Sequence, residues 1–323
     1  MPTNIQNWGR IWKLTVTGVP IGADGVQQQI IAGSDDWTPE AIRITFDVKQ
    51  SLSPIGAVGG YWFADIAIYN LNEKTTNIIL QQGMTVKLEA GYKNKVSYGT
   101  IFEGTLFQPT WERIDGITEK LTLHCIVGLV EGTNNFVSYN TRAGLTQRQI
   151  VSQMTKTPNI AYPLDTSNVK FENDIVATRG EVYFNQPFDY FADMAAQDTS
   201  NFWATNMAIN IRQLADQDSN IPTLQISQQS GLIGTPQQTQ DGVDIKMLLD
   251  ARPILRQQFQ LQPDAVVRQI PRIQGNYPTI LDAKGIYHII AINHVGDSRG
   301  NEWYTYLTGV NSAFSRFGLQ PNG

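Results

Sequence analysis

Along the first 130 residues apolar positions recur at every second residue, the period of a strand with one face buried. In Ile11 to Thr17, Trp12, Leu14 and Val16 alternate with Ile11, Lys13 and Thr15; in Ile42 to Val48, Ile42, Ile44, Phe46 and Val48 share one face. After the Gly- and Pro-punctuated loop SLSPIGAVGG, the run YWFADIAIYNLN is largely apolar on both faces. That predicts a strand buried on both sides, or a subunit contact through Tyr61, Trp62 and Phe63. MTVKLEAGY, IFEGTLFQPTW and EKLTLHCIVGLV supply three more strands. The last two flank WERIDGITEK, where Asp115 and Gly116 signal a hairpin turn. The segment reads as a small antiparallel barrel or sandwich.

The period changes in the middle of the chain. In LTQRQIVSQMTKTP, Thr146 as N-cap with Gln149 three residues on forms a capping box, and Leu145 can staple onto Ile150, which predicts a helix ending before Pro158. PFDYFADMAAQDT predicts a second helix, with Phe188, Phe191, Met194 and Ala195 in one stripe. A strand, MAINIRQL, follows. Residues 216 to 242 are rich in Gln, Ser, Asp, Gly and Pro, but Leu224 and Ile226 alternate with polar residues, so a strand and a structured turn are expected there. VDIKMLLD, RQQFQLQPD, GIYHIIAINHVG and WYTYLTGV then form another β run. The predicted fold class is mainly β with an α+β insert. The first β domain spans 1–135, the α+β domain 136–221 and the second β domain 222–323.

Composition narrows the function. Charged residues are only 16% of the chain, and Gln, Asn, Ser and Thr fill a neutral polar surface. A net charge of -5 without any basic run argues against a nucleic-acid binder, which needs clustered Lys and Arg against phosphate. The single cysteine, Cys125, excludes an intramolecular disulfide framework. MPTNIQNWGRIWKLTV lacks the apolar core of a signal peptide, and no run reaches the length of a membrane helix, so a soluble, cytoplasmically made protein is expected.

Candidate chemistry concentrates in GIYHIIAINHVGDSRGNEWYT, which holds two of the three histidines. Strict alternation puts His288 and His294 on one face, but six residues apart, roughly 20 Å, too far to share one metal. Gly296 and Gly300 are expected to supply positive φ in the turn, and Asp297 to bond local amides, so Asp297 reads as a turn residue rather than a catalytic acid. His124 and Cys125 are neighbours on a strand and face opposite ways, which excludes a thiol dyad and makes Cys125 a core residue. The carboxylate pairs Glu112 with Asp115 and Glu172 with Asp174 are the candidates for glycoside cleavage. Nucleotide-binding, zincin, nucleophile-elbow and C-x-x-C motifs are missing from the sequence. No catalytic, cofactor or metal site is expected.

Four segments in succession resemble the baseplate hub proteins of tailed bacteriophages: FADIAIYNLNEKTTNIILQQGMTVKLEAGYKNKVSYGTIFEGTL, WERIDGITEKLTLHCIVG, SGLIGTPQQTQDGVDIKMLLDARPILRQQFQLQ and GIYHIIAINHVGDSRGNEWYTYLTG. The first is similar to a strand ending in an Asn-rich turn, a short helix and two strands. Arg256-Gln257-Gln258 departs from the pattern, since a glycine turn is expected before the QLQ strand. The resemblance implies two tail-tube-like barrels per chain. Three chains would then present six modules to a hexameric tail tube and threefold symmetry to a spike. It implies a non-enzymatic structural virion protein of the baseplate, assembled in the host cytoplasm. Its partners would be itself as a homotrimer, the tail tube protein, the central spike, the tape-measure protein and surrounding baseplate proteins, with DNA only in transit. A tail-borne peptidoglycan hydrolase and a tube-like adaptor such as a distal tail protein are the alternatives.

Overall fold

The computed structural model describes residues 9–18, 29–34, 42–52, 62–80, 85–93, 96–128, 132, 135–160, 164–205, 208–214, 221–238, 242–261 and 285–310. The chain divides into two compact units. One comprises 1–50, 62–126 and 222–310; the other comprises 51–61, 127–221 and 311–323. As the alternation predicts, the protein is mainly β.

The first unit holds a sheet of thirteen described strands. Its N-terminal strands are β1 (Arg10–Thr17), β2 (Gln29–Ser34), β3 (Ile44–Ser51), β4 (Trp62–Tyr69), β5 (Thr85–Tyr92), β6 (Gly99–Arg113) and β7 (Glu119–Ile126). They run in the spatial order β3-β4-β7-β6-β5-β1-β2. Alternation settles the register: Trp12, Leu14 and Val16 on β1 face inward with Val86, Leu88 and Ala90 of β5, opposite which they pair. Ile44, Phe46 and Val48 are likewise buried, whereas Ile42, just before β3, is 37% exposed. Helix α1 (Glu73–Ile79) follows β4, where Asn72 accepts a hydrogen bond from the Thr75 amide as N-cap. The helix matches the segment that the hub resemblance implies.

Six C-terminal strands continue the same unit: β13 (Leu224–Ile226), β14 (Leu232–Gln238), β15 (Gly242–Leu248), β16 (Gln258–Leu261), β17 (Ile286–Asp297) and β18 (Trp303–Val310). β14, β15, β18 and β17 lie in that order, and β17 pairs with β3, so backbone hydrogen bonds join the two β regions. A capped 3-10 turn, Gln228–Ser230, closes on Gly231 with φ 104 between β13 and β14. Arg256 takes φ 70 before β16, at the position where a glycine turn is expected.

The second unit contains β8 (Val137–Asn140), α2 (Gln147–Met154), β9 (Asp165–Val169), β10 (Val182–Asn185), α3 (Pro187–Gln197), β11 (Asn201–Thr205) and β12 (Ala208–Arg212). β8 pairs with β10, and β11-β12-β9 make a three-stranded sheet. The capping box at Thr146 and Gln149 has both of its bonds, and Leu145 and Ile150 enter one core with Phe191, Met194 and Ala195. No described helix is long and apolar enough to cross a membrane.

Candidate functional site

The hairpin of β17 and β18 carries His288, His294 and Asp297, and its geometry follows from one extra residue. Pairing shifts between Ile289 and Ala291, a β-bulge that reverses which residues face inward. Tyr287 and Ile289 are buried before it, and Ile292, His294 and Gly296 after it. His288 and His294 therefore lie on opposite faces, not on one face as strict alternation predicts. Both are only 2% exposed. Burial pushes the His294 pKa down to about 3, and its Nδ1 lies 2.9 Å from Thr305 Oγ1. Burial also lowers the His288 pKa. His294 is therefore uncharged near neutrality.

The tip is held by arginines from the N-terminal β region. Arg43 Nε donates to Asp297 Oδ1 at 3.2 Å and its Nη2 to Oδ2 at 2.7 Å, a two-pronged pair. Arg10 Nη1 donates to the carbonyls of Asp297 and Gly300, at 2.8 and 2.5 Å. Burial pushes the Asp297 carboxyl up; the bonds from Arg43, Arg299 N and Gly300 N with the Arg43 charge outweigh it, so its pKa ends below the usual value. Asp297 thus bonds local amides, as its turn position predicts, and also an arginine 254 residues away.

Beneath the tip, Trp303 is fully buried, stacks edge-on against Phe46 at 5.2 Å and donates from Nε1 to the Gly91 carbonyl at 3.2 Å. Gly296 lies within β17, and a Cβ there would come 2.2 Å from the Phe46 ring. A Cβ at Gly300 would come 2.4 Å from Asp297 Oδ2. Neither glycine has positive φ; close approach, not backbone handedness, is what each supplies. Gly116 also lacks positive φ and has open space around it. The work in that turn is done by Asp115, whose Oδ1 accepts from the Ile117 and Thr118 amides, which lowers its pKa.

The remaining candidates are occupied by structure. Cys125 is buried, and burial, with Asp65 nearby, pushes its thiol pKa far up. His124 points away from it, 2.6 Å from the cross-strand Asp65, in a surface pair. Glu112 bonds Lys120 at 2.9 Å. Asp174 accepts from the Arg148 amide. The Glu172 amide donates to the fully buried Asp198, a residue that the sequence reading did not single out. An open groove of about 500 Å³ runs over β3, β4, β7 and the hairpin, lined by both carboxylates and cations, among them Asp47, Asp65, Lys120 and Glu302. Among the described residues no group of three His, Cys, Asp or Glu side chains could hold a metal. Of the three subunit-contact candidates, Tyr61 lies outside the described residues, Trp62 is half-buried, and Phe63 is 36% exposed with Lys49 over its ring.

The profile of a family described as "Baseplate hub gp41" matches residues 62–265, more than half of the chain. The chain belongs to that family. It is accordingly a structural protein of the bacteriophage tail, located in the virion's tail baseplate. Three solved structures share its fold. The prophage MuSo2 43 kDa tail protein from Shewanella oneidensis matches with TM-score 0.54 and 9% identity over 93% of this chain and 98% of its own. The tail protein from Neisseria meningitidis MC58 matches with TM-score 0.55 and 10% identity over 97% and 100%. The E. coli c3393 protein, a type VI secretion component with structural similarity to T4 tail proteins gp27 and gp5, matches with TM-score 0.53 and 9% identity over 88% and 78%. No curated protein matches by sequence.

Proposed function

We propose that this hub protein is the central hub of the baseplate, a homotrimer that joins the hexameric tail tube to the trimeric spike and forms part of the DNA channel. The observation that carries the reading is the baseplate-hub match, which runs from β4 through the α+β unit to just beyond β16 and so takes in parts of both β regions. In this reading the regions 1–135 and 222–323 act as two tube-like modules, so three chains offer six to the tube. Backbone pairing of β3 with β17 supports it, because it would fix one module against the other within each chain. The net charge of -5 suits a channel through which DNA passes without adhering. Besides itself, the partners are the tail tube protein, the spike, the tape-measure protein and surrounding baseplate proteins, and assembly takes place in the host cytoplasm.

The role is non-enzymatic. Glu112 and Asp115 are engaged in an ion pair and a turn, and Asp174 caps a backbone amide. Zymography on peptidoglycan with the purified chain, and with Glu112, Asp115, Glu172 and Asp174 each changed to the amide, tests this. No clearing is expected from any of them; lysis lost on one substitution would overturn the structural reading. A native mass of three chains is expected for the hub, and six for a distal-tail adaptor.

A further inference from the structure

Asp115 and Asp297 both accept from amides of their own turn, but the peptide nitrogen that follows each of them is held differently. Ser298 N, after Asp297, donates to the Ile44 carbonyl at 2.9 Å, and Ser298 itself is buried. The Asp297 carboxylate is gripped by Arg43. At the β6–β7 turn the nitrogen after Asp115 belongs to Gly116, an exposed residue with nothing within 4 Å of where a Cβ would stand. Among the described residues no hydrogen bond engages that nitrogen. Asp115 Oδ1 accepts from the Ile117 amide at 2.9 Å and from the Thr118 amide at 2.6 Å. The bond to Ile117 closes a ring of chain that contains both the Asp115 carboxyl and the Gly116 nitrogen, so it folds the carboxyl back over the Gly116 peptide.

We infer that Asp115-Gly116 is a site of spontaneous backbone isomerisation, at which aspartate becomes isoaspartate without an enzyme. The Gly116 nitrogen gives up its proton and attacks Asp115 Cγ; a C–N bond forms and Oδ2 leaves as water, which closes a cyclic imide. Water then adds to one or other imide carbonyl. Addition at Cγ breaks the new C–N bond and restores aspartate. Addition at the Asp115 backbone carbonyl breaks the original peptide bond and leaves the chain running through the side chain. One water is lost and one regained, and nothing is oxidised or reduced. The turn supplies the proximity, and the two amides aimed at Oδ1 stabilise the charge that this oxygen carries in the tetrahedral intermediate. Glycine leaves the carboxyl carbon unscreened, where any side chain would stand near the attack. The same amide bonds hold the carboxyl below its usual pKa, and water leaves only from the protonated acid, so conversion is slow near neutrality. Isoaspartate adds one carbon to the backbone of the turn, while the pairs Glu112 with Lys120 and Arg113 with Glu119 still fasten the strands on either side. The hairpin therefore survives the change.

Full-length protein kept for weeks in water enriched in heavy oxygen, then digested and mapped by mass spectrometry, tests this. The peptide that carries Asp115 is expected to gain one heavy oxygen and to elute as two species of equal mass, aspartate and isoaspartate. The peptide that carries Asp297 is expected to gain none. Gly116→Val, whose branched side chain screens the attack, and Asp115→Glu, which would need a larger ring, are each expected to lose the label. Both positions are exposed, and thermal melting checks that the variants are folded. An Asp115 peptide that stays unlabelled in the wild-type protein would overturn the inference. Label retained in both variants would also overturn it, since the oxygen would then enter by another route. Equal labelling at Asp297 would remove the role given to the free Gly116 nitrogen.

Discussion

At the β17–β18 tip, Arg10 and Arg43 reach in from the other end of the chain and Trp303 fills the space beneath, whereas the β6–β7 tip stands in solvent with Ile117 89% exposed. Both hairpins are long, antiparallel and closed by a polar turn containing Asp and Gly. The turn chemistry is similar: each aspartate accepts from backbone amides just after it. What separates them is what the turn meets. The docked tip spends its carboxylate on a distant arginine and is part of the fold; the free tip pairs its charges along its own strands and leaves apolar side chains available. A hub needs both kinds of surface, one to hold its β regions together and one to hold something else.

Substitutions under the docked tip should have the largest effects. Trp303→Ala removes a fully buried ring, its stack on Phe46 and its bond to Gly91, and should cost about 3–5 kcal/mol in chemical denaturation. Gly296→Ala drives a methyl into Phe46 and should cost about 1–3 kcal/mol, while Gly116→Ala at the free tip should change stability by less than about 0.5 kcal/mol. Equal effects from the two glycine changes would erase the distinction between the tips. Arg43→Ala should cost about 1–3 kcal/mol, and a double-mutant cycle with Asp297→Asn should show that the two losses are not additive. Arg113→Ala, in the exposed pair with Glu119, should fall below about 1 kcal/mol.

Acid should also separate the regions. His294 is buried with a folded pKa of about 3, below the ordinary 6.5 of the unfolded chain. Its contribution is fully present above pH 6.5. It declines as pH falls towards 3, because the unfolded chain takes up a proton that the folded one excludes, by about 1 kcal/mol per pH unit. Asp297, with a lowered pKa, contributes stability above the unfolded carboxylate value and loses it as pH falls through the folded one. Melting from pH 7 to 4 should therefore show a slope that His294→Gln reduces and that Ile117→Ser, at the free tip, leaves unchanged.

Much of this was legible in the residues. Strand periodicity gives the β elements and the inward set of β1, and Thr146 with Gln149 gives the start of α2, because both signals are local. The bulge beside Ile290 was not legible: isoleucine is an ordinary strand residue, and only pairing shows that one position is extra. Without the bulge, His288 and His294 fall on one face. Gly296 looks like a turn glycine to its neighbours, because the demand on it comes from Phe46, 250 positions earlier in the chain. The roles of Arg10 and Arg43 were invisible for the same reason, since no local pattern announces a partner so distant. Arg256 occupies a left-handed position where a glycine is the usual choice, so sequence alone signalled a departure there rather than the turn that forms.

A symmetry-resolved reconstruction of the assembled tail tests the proposed trimeric hub between tube and spike. Three copies at the tube-spike junction, each contributing two β modules to a pseudo-sixfold ring around the channel, is the predicted result. Six copies in a sixfold ring, or copies placed away from the channel axis, would contradict it.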